Sequence, residues 1–118
     1  MTHETYHNCR LQNFHWKPEY LLVSFEVLDQ SNNVHEVHIQ TGAERFYTEL
    51  MQLTEGKRTQ GFFSYGMTDI DIIRMSHENI LMSWSPCEVV YSDFFLPVNE
   101  LQKLADWAAT IKKEGNKK

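Results

Sequence analysis

Residues 20–40 read Tyr20-Leu21-Leu22-Val23-Ser24-Phe25-Glu26-Val27-Leu28-Asp29-Gln30-Ser31-Asn32-Asn33-Val34-His35-Glu36-Val37-His38-Ile39-Gln40. Leu21, Val23, Phe25 and Val27 alternate with Leu22, Ser24 and Glu26, the period of a half-buried strand. Asp29 to Asn33 is a run of turn formers. Val37 and Ile39 then alternate with Glu36, His38 and Gln40, so the stretch is a β-hairpin. A symmetric closure sets Val27 opposite His35, Phe25 opposite Val37 and Val23 opposite Ile39. It also sets Glu26 against Glu36 on the outer face, a like-charge pair that costs stability. A slip of two residues would pair Glu26 with His38 instead. The sequence leaves both registers open.

Working outward, residues 43–55 carry a helical stripe of Phe46, Leu50 and Leu53, flanked by Ala43 and Tyr47. Thr41 and Glu44 have the spacing of a capping box, and Gly56 is a left-handed stop. From Gly61 the pattern returns to strands: Phe62-Phe63 up to Gly66, then Ile70 and Ile72 between aspartates. Beyond the turn at Ser76–Asn79 comes a strand face of Ile80, Met82 and Trp84. Pro86 interrupts that strand, and Glu88 to Leu96 makes another. Asn99 and Gln102 cap a last helix whose buried stripe is Leu101, Leu104, Ala105, Ala108 and Ile111, bordered by Trp107 and ended by Gly115. Before the hairpin, His7 to Trp16 reads as one strand, ended by Lys17-Pro18. The expected class is α+β: an antiparallel sheet of about six to seven strands, with one mid-chain and one C-terminal helix packed on it.

Sixteen acids face eleven lysines and arginines. Four of the bases, Lys112, Lys113, Lys117 and Lys118, lie in the last seven residues, and the other 111 residues hold seven bases against fifteen acids, a net of −8. The expected organisation is one domain over residues 1–111 and a frayed, lysine-rich tail over 112–118. An acidic body argues against nucleic acid and admits a basic protein surface as partner. Two distant cysteines, Cys9 and Cys87, make no disulfide framework and read as reduced thiols. The polar start Met1-Thr2-His3-Glu4-Thr5 carries no apolar signal, and no apolar run is long enough for a bilayer. The expectation is a cytoplasmic protein without a membrane span.

Each candidate for chemistry meets a plainer reading. His7 and Cys9, two apart on one strand, would begin a metal site that no CxxC or HxxxH completes. His35 and His38 are three apart in a strand and point to opposite faces, unlike helical metalloprotease ligands. No helix starts at Cys87, and no histidine lies beyond His77 in sequence, to lower its pKa. Asp69 and Asp71 share a strand face, as acid/base or cation ligands would, and equally as a solvated face would. His35, Tyr65, Asp71, Trp84 or Cys87 could line a pocket between sheet and helices. No phosphate loop or nucleophile elbow is present. The expectation is no catalytic residue, no cofactor and no metal. Glu26, Glu36, Asp69 and Asp71, aligned on strands, make a negative patch as the candidate partner-binding site.

The closing stretch Phe94-Phe95-Leu96-Pro97-Val98-Asn99-Glu100-Leu101 is a strand, a proline and the start of an amphipathic helix. With its size, acidity and α+β plan, the chain resembles the small acidic immunity proteins of bacterial toxin–immunity systems. The resemblance implies a cytoplasmic inhibitor that occludes the active or substrate-binding surface of a cognate, basic toxin domain. It carries over no residue. The alternative is a small ligand-binding domain or enzyme, which requires a concave pocket with convergent polar groups.

Overall fold

The computed structural model describes residues 2–18, 21–87 and 89–115. Eight strands and two helices follow in the order β1 (Thr2–Tyr6), β2 (Arg10–Lys17), β3 (Leu22–Leu28), β4 (Val34–Gln40), α1 (Ala43–Thr54), β5 (Gln60–Tyr65), β6 (Thr68–Arg74), β7 (Asn79–Cys87), β8 (Val90–Pro97) and α2 (Val98–Gly115). The fold is α+β, with both helices on one face of a mostly antiparallel sheet. Of the expected last strand, Glu88 lies outside the described residues, as do Lys117 and Lys118 of the tail.

The hairpin closes symmetrically. Val23 pairs with Ile39, Phe25 with Val37 and Val27 with His35, and Glu26 faces Glu36. The turn explains why. Asn32, at a φ of 64°, donates to Asp29 O, and the Asp29 carboxylate accepts the Ser31 and Asn33 N–H groups. This fixes the loop length and hence the register. The like-charge pair is relieved from the sides. The Gln12 and Asn13 amides donate to Glu26, and His38 Nε2 lies 3.3 Å from Glu36.

The sheet runs β1-β8-β7-β6-β5-β4-β3-β2, eight strands against the expected six to seven. The N-terminal segment is two strands, not one, because Asn8 turns left-handed at a φ of 56° between them. β1 lies parallel to β8 at one edge, and β2 lies beside β3 at the other. Only His7, Asn8 and Cys9 join these two edges, a connection that spans at most about 14 Å. The sheet must therefore curl until its edges approach. Contacts across the hollow agree: Tyr6 on β1 meets His35 on β4 with ring centroids 5.0 Å apart.

The inner face carries the core. Val23, Phe25, Val37, Ile39, Phe63, Ile70, Ile72, Ile80, Met82, Phe94 and Leu96 are buried there, against Phe46, Leu50 and Leu53 of α1 and Leu101, Leu104, Ala105, Ala108 and Ile111 of α2. A side chain at Gly61 would meet Leu53 Cδ1 at 3.2 Å, so the bare backbone there lets α1 sit close to β5. Gly56 ends α1 at a φ of 79°. The last carbonyls of that helix, on Leu53 and Thr54, accept the Arg74 guanidinium at 2.7 and 2.8 Å, a charged cap at the negative end of the dipole.

Both expected capping boxes are corrected. Gly42, not Thr41, takes the N-cap of α1 and makes no side-chain hydrogen bond, while the Thr41 N–H is held by Leu21 O. Helix α2 begins at Val98, which places Asn99 inside its first turn, and Gln102 donates to Asp106. Glu100 acts elsewhere. Its carboxylate accepts the Leu11 N–H at 2.8 Å, and Lys103 donates to Leu11 O. Two side chains of α2 thereby satisfy the free edge of β2. Pro86 lies in β7, inside a bulge between Trp84 and Cys87, where a missing N–H is tolerated.

Candidate functional site

With both helices inside, the outer face of the sheet is uncovered, and the register says what stands on it. Gln12, Glu26 and Glu36 are neighbours across β2, β3 and β4. Asp71, Ser83, Asp93 and Thr5 are neighbours across β6, β7, β8 and β1, with Phe62 of β5 beside Asp71. Ser64, Asp69 and Ser85 form a further row. Ile73, Leu81 and Phe95 form an apolar one, each half-buried, with His7 stacked flat on Phe95 at 5.0 Å. That row runs into a depression of about 310 Å³ lined by His7, Met75, Phe95 and Pro97 among others.

The four carboxylates read from the sequence therefore share a face but not a cluster. Strands β4 and β5 pair only at Gln40–Ser64. Glu36 lies four residues along β4 from that seam, about 13 Å, and Asp69 two strands across, about 10 Å. Glu26 and Glu36 make one pair, and Asp69 and Asp71 a second. Asp93 belongs with the second pair and was not legible beforehand, since only the β7–β8 register sets it beside Ser83 and Asp71. The Ile73–Leu81–Phe95 row was hidden for the same reason.

Charge is divided between the two layers. Every lysine or arginine ion pair among the described residues lies on the helical side: Arg45 and Arg58 with Glu49, Lys57 with Glu55, Lys103 with Glu100, and Lys112 with Glu44. Glu49 is buried between its two arginines. Among the described residues the outer strand positions hold, of lysines and arginines, only Arg10 and Lys17, both on β2, and there the carboxylates meet histidine nitrogens: His3 Nε2 lies 2.7 Å from Asp93 and His38 Nε2 3.3 Å from Glu36. Hydrogen bonds from Gln12 and then Asn13 hold the Glu26 carboxyl below the usual carboxylate range. The acidic excess is thus concentrated on the outer sheet face.

The other candidates resolve as packing. His7 and Cys9 do not share a side: they sit in the β1–β2 connection, where His7 is exposed and Cys9 is buried. Burial, with the nearby Asp29 carboxylate, pushes the Cys9 thiol up to about 11, away from reactivity. His35 and His38 do point to opposite faces. His35 lies inward among Tyr6, Trp84 and Phe94, its Nε2 3.2 Å from Asp29. Tyr65 lies beside His38, and Cys87 is half-buried at the bulge, its carbonyl accepting from Ser85. Of the five pocket candidates, His35 and Trp84 meet, while Tyr65 lies with His38, Asp71 stands on the outer face and Cys87 at the bulge. Among the described residues, no three His, Cys, Asp or Glu side chains gather as metal ligands would, and no helix is long and apolar enough to cross a membrane.

Asp29 holds the hairpin turn. Burial alone would raise its pKa, but hydrogen bonds from the Asn33 N–H, His35, the Ser31 N–H and the Asn33 amide outweigh it and hold the carboxyl low. A depressed native value means its contribution is present above the unfolded value of about 3.9 and is lost as pH falls through the native one. Urea unfolding should show stability declining on acidification below about pH 4. Asp29→Asn should flatten that decline, and an unchanged slope would assign it to other carboxylates.

The chain matches no protein-family model, no curated protein and no solved structure.

Proposed function

We propose that this chain is a protein-binding module whose outer sheet face docks a basic protein surface. The observation that carries this reading is the division of charge: among the described residues the lysine and arginine ion pairs lie on the helical layer and the strand carboxylates make none, with Arg45 and Arg58 approaching Asp71 only across a shared depression. Asp71 and Asp93 border one side of the half-buried Ile73–Leu81–Phe95 row. An apolar strip with a charged border is how a docking surface is commonly arranged, the strip supplying affinity and the charges orientation and speed.

Within that class, the resemblance of the Phe94–Leu101 unit, the size and the acidity supports a narrower role. The protein acts in the cytoplasm as an immunity protein, covering the active or substrate-binding surface of a cognate basic toxin. Enzymes that act on nucleic acid present basic clefts, because they must bind phosphate. The space between sheet and helices is filled by apolar side chains such as Phe46, Leu50, Phe63 and Leu104, all buried, which does not favour a ligand pocket there. Ionic strength provides the test. Association with the partner should slow steeply as salt rises, and a tight complex whose on-rate ignores salt would overturn the reading.

A further inference from the structure

Strand β4 is paired along its whole length with β3, but on its other edge it meets β5 only at Gln40. Strand β5 meets β4 only near its own end, at Ser64, and then turns back at Gly66-Met67 into β6. From Val34 to His38, that edge of β4 has no strand beside it among the described residues. Backbone groups on such an edge are a template for another strand. The contrast with β2 is informative, since Glu100 and Lys103 occupy its free edge at Leu11. Among the described residues, nothing equivalent reaches β4 between Val34 and His38.

The side chains around this gap define what would fit. On the outer side stand Glu36, 65% exposed, with Glu26 beside it across the hairpin, and His38. On the inner side are His35 and the half-buried Trp84, whose Nε1 is buried with no hydrogen-bond acceptor. Val34 and Met67, 55% and 65% exposed, flank the opening. From this edge we infer that β4 accepts an extended segment of the protein partner as an added strand. The segment alternates lysine or arginine, facing Glu36, with apolar residues facing inward toward His35 and Trp84. Backbone pairing supplies affinity and the alternating side chains supply specificity. The inference rests on the acidic-face reading and adds a position and a conformation to it.

The test uses the full chain, ¹⁵N-labelled, at low salt, with nine-residue peptides alternating lysine and valine. The expected result is that amide exchange in Val34–His38 slows at least tenfold. A peptide N-methylated at alternate amides, with the same charge, should lose that protection, and a glutamate–valine peptide should bind at least tenfold more weakly. Binding that shifts Asp69, Asp71 and Asp93 but leaves β4 unprotected would overturn the added strand and keep the acidic face. No binding of the lysine peptide would count against both. Protection that appears on concentrating the protein alone would assign the edge to a second copy and overturn the inference.

Discussion

Replacing Phe94 with alanine should lower the free energy of unfolding by about 3–5 kcal/mol. A domain of this kind has about 5–15 kcal/mol in total, so one ring decides much of the margin. Phe94 is fully buried and lies where the curl of the sheet is held together. It stacks on Tyr6 of β1 at 5.4 Å, meets His35 of β4 at 5.0 Å and Trp84 of β7 at 6.1 Å, and faces Met82 across β7. The strands themselves do little to close the sheet, since β4 and β5 share one pair, and the closure rests on this cluster, the Cys9 N–H bond to Phe95 O and α2 across β2. Truncation leaves a cavity bordered by three other aromatic rings on three strands, none of which can relax independently. Urea unfolding followed by tryptophan fluorescence measures the loss, and amide exchange in β1 should rise with it. A loss below about 1 kcal/mol, far short of the usual cost of a buried phenylalanine, would mean that the cluster does not bind the strands together.

Reversing Glu26, Glu36, Asp69 and Asp71 to lysine should slow association with the partner by at least about tenfold at low salt. The change alters the face by eight charges without touching the core, since all four side chains stand on outer strand positions. Neutral Gln and Asn replacements should give an intermediate rate. The difference should fade in about 1 M salt, where the screening length is about 3 Å. Glu26 accepts from Gln12 and Asn13, so its replacement also costs stability, and each variant is compared at equal folded fraction. Equal rates for all variants would remove these carboxylates from the interface.

The parts of this fold legible in the sequence are those set by local periodicity. The hairpin, the Phe46–Leu50–Leu53 stripe and the Leu101–Ile111 stripe each need only their own residues to be read. What failed depended on distant partners. Strand β1 is polar, and its partner β8 lies some ninety residues further on. The Thr41–Glu44 box had the right spacing, yet the Thr41 N–H is taken by Leu21 O. His7 and Cys9 have strand spacing, but Asn8 turns the chain between them. For the site, sequence alternation put the four carboxylates on outer faces. Their division into two pairs, the addition of Asp93 and the Ile73–Leu81–Phe95 row all required the register between strands. Of the lysine and arginine pairs, Arg45–Glu49 and Lys103–Glu100 have helical spacing, whereas Arg58–Glu49 and Lys112–Glu44 required the tertiary fold.

The most direct measurement is capture from the native host with two baits, the natural chain and the four-lysine variant, both confirmed as folded. The natural chain should retain a basic protein that the variant does not, and salt should release it. A partner held equally by both baits would contradict the account, because the acidic face would then have no part in binding.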